Sequence, residues 1–163
     1  DGLEDESPLV EFMSMLNETT CESVHPGGFV TFQMGVLDLD SGTLLVANAG
    51  HNPPIVRHER TGMVEELDVP PNIPIGLIPT HDFKISRFNL TQGDKLIAYT
   101  DGVTELRNKE GKEYDLTRML GTIRNYGDGN PNTLLARVQS ECDLFAEGAP
   151  PEDDQALLIM QIL

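Results

Sequence analysis

The segment KLIAYTDGVTELRN, Lys95–Asn108, reads as a short apolar strand that ends on an aspartate and a glycine. Asp-Gly after a strand is typical of a turn, because Asp bonds to nearby backbone and Gly accepts a positive φ. A carboxylate at the exit of a strand is equally suited to bind a divalent metal ion. Both interpretations of Asp101 stay open on this segment alone.

A second acidic feature, Asp153-Asp154, precedes the run QALLIMQIL. Such an uninterrupted apolar run predicts a central strand that is buried on both faces. In an antiparallel pair, the C-terminal end of the 95–100 strand and the N-terminal end of this strand are neighbours. We therefore expect Asp101, Asp153 and Asp154 at one sheet edge, where clustered carboxylates suit Mg²⁺ or Mn²⁺. Acidic pairs before a strand are also common loop residues.

The N-terminal region predicts a frayed acidic stretch, residues 1–7, followed by a helix with Ser7 as N-cap and Pro8 at its first position. Its apolar spacing predicts a helix face that packs into the core rather than a binding stripe. The residues expected on this face are Leu9, Phe12, Met13, Met15 and Leu16.

The following residues predict short antiparallel strands with turns at regular intervals. Strand patterns cover residues 29–39, 43–50, 55–60, 63–69 and 83–90, with a hairpin turn at 40–42. Prolines exclude a central strand at 70–76. In the 83–90 strand we expect Phe83, Ile85, Phe88 and Leu90 to be buried. Helices at 114–127 and 131–148 and the final strand complete an α+β fold, an antiparallel β-sandwich flanked by helices.

Composition narrows the class of protein. The 163 residues suit a single domain, and the formal net charge of −16 argues against nucleic-acid binding. The apolar runs are too short for a membrane helix. Cys21 and Cys142 form no CxxC pair, so we expect a cytoplasmic protein in a reducing compartment.

Four motifs together resemble one family. NAGHNPP (48–54), IPIG (73–76), QGDKLIAYTDGVTELRNKEGKEY (92–114) and EDDQALLIM (152–160) occur in the order seen in the PPM-type metal-dependent serine/threonine phosphatases of the SpoIIE/RsbU-like branch. The resemblance covers the chain from about Phe29 to its end. It implies two Mg²⁺ or Mn²⁺ ions that activate a water for attack on phosphoserine or phosphothreonine.

The resemblance assigns metal-ligand roles to Asp101 and Asp153, with Asp154 as the neighbouring candidate. Other members carry further metal carboxylates on two upstream strands, and neither strand pattern occurs here. The chain thus resembles the C-terminal two-thirds of the phosphatase domain, with at most part of the two-ion site. We expect it to be inactive or weakly active alone, and prone to dimerise or aggregate through unpaired sheet edges.

Three further residues are possible site-lining positions. Gly102 and Glu105 belong to the Asp-Gly motif, although Glu105 could as easily cap the turn after Asp101. His51 in AGHNPP could be a catalytic acid, but the rigid Asn-Pro-Pro turn favours an anchoring role in the loop. His25, His58 and His81 show no partner that suggests chemistry.

The leading hypothesis is a protein phosphatase switched on by an N-terminal sensor or receiver domain. The resemblance implies a phosphorylated anti-sigma factor antagonist as its substrate in bacterial signalling. The first alternative is a non-catalytic module of the same fold that binds a signalling partner. The second is an acidic cation-binding domain of unrelated origin.

Overall fold

The computed structural model describes residue 3 and residues 5–163. In chain order the elements are α1 (Ser7–Ser23), β1 (Phe32–Leu37), β2 (Thr43–Ala49), β3 (Ile55–Arg57), β4 (Val64–Glu66), β5 (Ile85–Asn89), β6 (Lys95–Tyr99), α2 (Asp101–Thr104), α3 (Asp115–Tyr126), α4 (Pro131–Ala146) and β7 (Leu157–Gln161). This order of helix, strands, helices and final strand confirms the predicted α+β class.

The chain forms two compact units. The first contains the residues up to Pro53 together with Asp68–Leu90, and the second contains Pro54–Leu67 and Thr91–Leu163. Each unit has one antiparallel sheet and its own apolar core. Among the described helices, none is long and apolar enough to cross a membrane.

The first unit is a three-stranded sheet, ordered β1-β2-β5, with α1 contributing to its core. The central strand β2 is buried from Leu44 to Ala49. The predicted hairpin turn is confirmed between β1 and β2. Its Gly42 has a φ of 71°, and a Cβ there would lie 2.2 Å from the carbonyl oxygen of Leu90. The turn therefore requires glycine at this position.

Two details of the strands differ from the expectation. β1 begins at Phe32 rather than Phe29, which is 56% exposed. Phe83 and Leu90 are buried as predicted, but Ile85 and Phe88 on β5 are only half-buried.

The predicted apolar face of α1 is wrong at two positions. Phe12 is 36% exposed and Met15 is 59% exposed, whereas Asn17 is buried. The Asn17 side chain donates to the carbonyl oxygens of Ile78 (2.9 Å) and Pro79 (3.1 Å) and accepts from the Gly76 N–H (2.9 Å). Because its polar atoms are paired, Asn17 can take a core position that an apolar pattern does not reveal.

The predicted start of α1 also needs correction. The helix begins at Ser7, so Ser7 is its first residue rather than its N-cap, and Pro8 is the second. The predicted frayed stretch, residues 1–7, falls in part on residues 1, 2 and 4, which lie outside the described residues.

The second unit is a four-stranded sheet, ordered β4-β3-β6-β7, with α2, α3 and α4. Its core includes Met119 and Ile123 from α3 and Leu134 and Val138 from α4. Asn130 caps α4 by accepting a hydrogen bond from the Thr133 N–H at 2.9 Å. The bounds of α3 and α4 confirm the helices predicted at 114–127 and 131–148.

The prediction that the last strand is central and buried on both faces is wrong. β7 is the end strand of its sheet, and in the described part of the chain it pairs with β6 alone. Leu157 and Ile159 pack against the core of the second unit, but Leu158 is 67% and Met160 is 38% exposed. An apolar run shows that both faces of a strand suit burial, not that both are covered.

Candidate metal centre

The pairing of β6 with β7 brings the two predicted acidic loops together. The strands are antiparallel, with Lys95 opposite Gln161 and Tyr99 opposite Leu157. One further bond, from the Thr100 N–H to the Ala156 carbonyl oxygen (3.1 Å), extends the pairing beyond the strands. Asp101, the first residue of the single turn α2, and Asp153, in the segment before β7, thus lie at the same end of the sheet, as the sequence predicts. These two connecting segments are named the Asp101 loop and the Asp153 loop.

Side chains and backbone also connect these two loops. The Thr100 hydroxyl accepts from the Ala156 N–H and donates to the Asp154 carbonyl oxygen, both at 2.9 Å. The Gln155 side-chain amide donates to the Gly102 carbonyl oxygen at 3.1 Å. A Cβ at Gly102 would lie 2.5 Å from the Asp154 carbonyl oxygen, so only glycine allows this approach.

The three predicted ligand carboxylates are exposed to solvent. Asp101 Oδ1 accepts from the Gly102 N–H at 3.0 Å, and Asp153 Oδ1 accepts from the Asp154 N–H at 2.7 Å. Within the described residues, none of the three carboxylates takes part in an ion pair with Lys, Arg or His. Their outer oxygens are not neutralised by a cationic side chain.

This donor set fits a divalent cation in chemistry, but Asp101, Asp153 and Asp154 are not gathered into one metal-holding cluster. Exposed carboxylate oxygens on adjoining loops are the hard donors that Mg²⁺ or Mn²⁺ prefers. Over residue 3 and residues 5–163, however, no group of three or more His, Cys, Asp or Glu side chains is arranged to hold a metal ion. Asp101 and Asp153, with Asp154 beside them, would supply part of a coordination sphere.

The other predicted site residues divide between the two units. Glu105, at the C-terminal end of α2, is exposed, and its N–H donates to the Asp101 carbonyl oxygen at 2.7 Å. His51 lies in the first unit, where its N–H donates to the Asn48 side chain (2.8 Å) and its carbonyl oxygen accepts from that side chain (2.9 Å). These bonds join the Asn48 side chain to the backbone of His51, whereas the His51 imidazole lies 3.3 Å from the Thr31 hydroxyl, so its anchoring role stays a prediction.

An ionic network of two buried cations and two exposed carboxylates lies at the opposite end of β6. Lys95, which is 1% exposed, contacts Glu59 at 3.3 Å, and Arg57 pairs with both Glu59 and Asp128. The Lys95 and Arg57 cations hold the pKa of Glu59 below its ordinary value. This network orders the start of the strand whose other end carries Asp101.

The buried carboxylate of Asp94 connects the Thr91 turn to the chain at Glu59 through hydrogen bonds. It accepts from the Glu59 N–H (2.8 Å), the Thr91 N–H (2.9 Å) and the Thr91 hydroxyl (3.1 Å). Burial raises the pKa of Asp94, but these hydrogen bonds outweigh burial, so its pKa lies below the ordinary value. His58, for which the sequence indicated no partner, lies 3.6 Å from Asp94 and 3.0 Å from Glu65.

Two residues of the candidate site, Thr100 and Gln155, were not identified from the sequence. Thr100 directly precedes the Asp-Gly pair and Gln155 directly follows the Asp-Asp pair. Their adjacency to the acidic motifs was the available signal. Their role depends on the strand register, which the sequence alone does not give.

A groove borders the second acidic loop within the same unit. It has a volume of about 550 Å³ and lies between α4, the start of β7 and α2. Its lining includes Val103, Leu135, Val138 and Cys142, with Gln155 at its edge. Burial raises the pKa of the Cys142 thiol to about 11, so this thiol stays protonated at neutral pH.

Comparison with known proteins agrees with the fold. Phosphoserine phosphatase RsbU of Bacillus subtilis is 25% identical over 101 residues, which are 62% of this chain and 30% of RsbU. The RsbU and RsbW domains of Rv1364c from Mycobacterium tuberculosis align with a TM-score of 0.74 at 21% identity, covering 94% of this chain and 41% of that one. The chain thus spans less than half the length of either protein.

The phosphatase domain of the cell fate determinant SpoIIE from Bacillus subtilis aligns with a TM-score of 0.67 at 20% identity, covering 99% of this chain and 68% of that domain. The family model of stage II sporulation protein E matches residues 2–163. The chain therefore belongs to the stage II sporulation protein E (SpoIIE) family and has the fold of its PP2C-type phosphatase domains.

Proposed function

We propose that this chain is the C-terminal portion of a metal-dependent phosphatase domain that hydrolyses phosphoserine or phosphothreonine on a protein. The observation that supports this function best is the β6–β7 register, which sets Asp101 and Asp153 on adjoining loops. A cytoplasmic anti-sigma factor antagonist is the substrate class we propose, by resemblance to the SpoIIE/RsbU-like branch and from the phosphoserine phosphatase activity named for RsbU.

In this mechanism the chain contributes binding and orientation. A bound Mg²⁺ or Mn²⁺ ion would lower the pKa of a coordinated water and neutralise charge on the transferring phosphoryl group. Asp101 and Asp153 would hold the ion through their exposed oxygens, with Asp154 as the neighbouring donor. In this proposal none of the described side chains serves as nucleophile.

The remaining ligands of a two-ion site would come from outside residues 1–163. Two adjoining carboxylates leave most of a six-coordinate sphere to water. The SpoIIE phosphatase domain is longer than this chain, which covers 68% of it. We propose that strands preceding residue 1 in the parent protein supply the missing carboxylates, under the control of an N-terminal sensor or receiver domain.

A phosphate-release assay on a phosphoserine peptide tests this function. It compares the parent protein, its Asp101→Asn variant and this chain alone, each with Mn²⁺ and with EDTA. The parent should turn over only with Mn²⁺, and Asp101→Asn should cost more than the roughly 10–100-fold loss typical of outer-shell partners. Rapid Mn²⁺-dependent turnover by this chain alone would show that it is not an incomplete enzyme.

A second candidate function is a non-catalytic module that binds a signalling partner. The groove of about 550 Å³ beside the second acidic loop favours it, because the groove combines apolar side chains such as Leu135 with polar ones such as Gln139 and Asp143. An inactive parent protein that nevertheless binds its partner, and loses binding on Leu135→Asp, would support this function over the enzyme.

A further inference from the structure

The hydroxyl of Thr100 has an unusual orientation for its position in the fold. Thr100 is the N-cap residue of α2, and a threonine there commonly accepts a hydrogen bond from the second or third N–H of its own helix. In this chain the Thr100 side chain makes no such bond. It turns instead to the other acidic loop, where it bonds to the Ala156 N–H and the Asp154 carbonyl oxygen.

This arrangement adds side-chain bridges at the point where the backbone pairing ends, with a single bond from the Thr100 N–H to the Ala156 carbonyl oxygen. The β6–β7 ladder ends at Tyr99 and Leu157, and strand ends beyond a ladder open easily. The Thr100 hydroxyl donates from the Asp101 loop to the Asp154 carbonyl oxygen, and the Gln155 amide donates from the Asp153 loop to the Gly102 carbonyl oxygen. Each loop therefore contributes one side-chain donor to the contact with the other loop.

The carboxylates themselves do not join the loops. The Asp101 and Asp153 carboxylates each accept a hydrogen bond from the N–H of the next residue in their own loop. Coordination to Mg²⁺ demands oxygens at about 2.0–2.1 Å from the ion, so a ligand pair on two loops needs those loops at a fixed separation. Beyond the backbone bond from the Thr100 N–H to the Ala156 carbonyl oxygen, that separation is set by the side-chain bridges of Thr100 and Gln155.

We propose that Thr100 and Gln155 are positioning residues, which hold the Asp101 loop and the Asp153 loop at the spacing that one shared divalent cation requires. This inference rests on the proposed metal-binding function of the same site. It predicts that loss of either bridge weakens metal binding while both carboxylates remain. Thr100 carries the larger share, because its hydroxyl makes two of the three side-chain bonds between the loops.

Amide NMR with Mn²⁺ as the probe tests the proposal without any assay of activity. A bound Mn²⁺ broadens nearby amide signals, so Gly102 and Asp154 report on the two loops separately. In the wild-type chain both signals should broaden at one common Mn²⁺ concentration. Thr100→Val, which keeps the shape and loses the hydroxyl, should raise that concentration about tenfold, and Thr100→Ser should restore it.

Two further variants keep the test interpretable. Thr117→Val is the matched control, because Thr117 is exposed on α3 and its hydroxyl bonds to no described residue of either loop, so the variant should behave as wild type. Gln155→Met removes the second bridge independently and should raise the Mn²⁺ concentration by about threefold, so the proposal stays testable if Thr100→Val does not fold.

The outcomes separate this inference from the function on which it rests. If Asp101→Asn abolishes the broadening but Thr100→Val and Gln155→Met broaden as wild type does, the positioning role is wrong and the metal site stands. If Asp101→Asn broadens as wild type does, the metal lies elsewhere, and both proposals fail.

Discussion

Substitution of Gly102 by alanine gives a sharp test of the loop contact, because two physical effects predict opposite signs. Gly102 lies in the short helix α2, where alanine is favoured over glycine by about 1 kcal/mol. A Cβ at this position, however, would lie 2.5 Å from the Asp154 carbonyl oxygen and 3.0 Å from its carbon. Both contacts are to backbone, which cannot rotate away as a side chain can.

The size of the effect follows from this geometry. Real Cβ contacts essentially never fall below 3.0 Å, so the loops must separate by at least about half an ångström. Overpacking of this kind costs about 1–3 kcal/mol, which equals or exceeds the helix-propensity gain of about 1 kcal/mol. We expect Gly102→Ala to lower the free energy of unfolding by up to about 2 kcal/mol, or the melting temperature by up to roughly 8 °C.

The matched control is Gly121→Ala in the middle of α3, where a Cβ would meet nothing within 4 Å. This variant should gain up to about 1 kcal/mol, because only the helix propensity changes. Urea unfolding followed by circular dichroism in EDTA measures both variants without metal. A Gly102→Ala variant as stable as the Gly121→Ala variant would refute the close approach of the two loops.

Three further predictions concern the rest of the chain. Asp94→Asn should lower the free energy of unfolding by about 2 kcal/mol at pH 7, because hydrogen bonds to an ionised group are lost. Since folding lowers the pKa of Asp94, this difference between variant and wild type should shrink as the pH falls below about 4. A difference in urea unfolding that does not depend on pH would contradict the prediction. A thiol reagent at pH 7 should label Cys21 before Cys142, which is buried with a raised pKa; equal rates by mass spectrometry would contradict this. Light scattering should show concentration-dependent association of the chain through the β7 edge. Leu158→Lys on β7 should reduce this association, whereas Leu144→Lys on α4, also at an exposed leucine, should not. Equal effects of the two variants would place the association elsewhere.

The sequence predicted the part of the candidate site that depends on strand direction. Apolar runs ending or beginning at Asp101 and Asp153 were enough to place both at one end of an antiparallel pair, because antiparallel pairing alone determines which ends meet. The contacts of Thr100 and Gln155 could not be predicted in this way, because they depend on the exact register of the two strands. A shift of one residue would turn the same hydroxyl to the other face.

The errors on α1 and β7 have a common physical origin. Periodicity reports which positions are compatible with burial, but long-range partners decide which positions are buried. Asn17 is buried because loop carbonyls at 78 and 79 accept from its amide. Leu158 is exposed because no described strand or helix covers that side of β7.

The central claim is that Asp101 and Asp153 bind one shared divalent cation. Its most direct test is a double-mutant cycle in which Mn²⁺ affinity is measured by calorimetry for wild type, Asp101→Asn, Asp153→Asn and the double variant. The account predicts that each single substitution weakens binding by at least about tenfold and that the double variant loses little more than either single one. A double variant that binds Mn²⁺ as tightly as wild type, or single losses that simply add in the double variant, would contradict it.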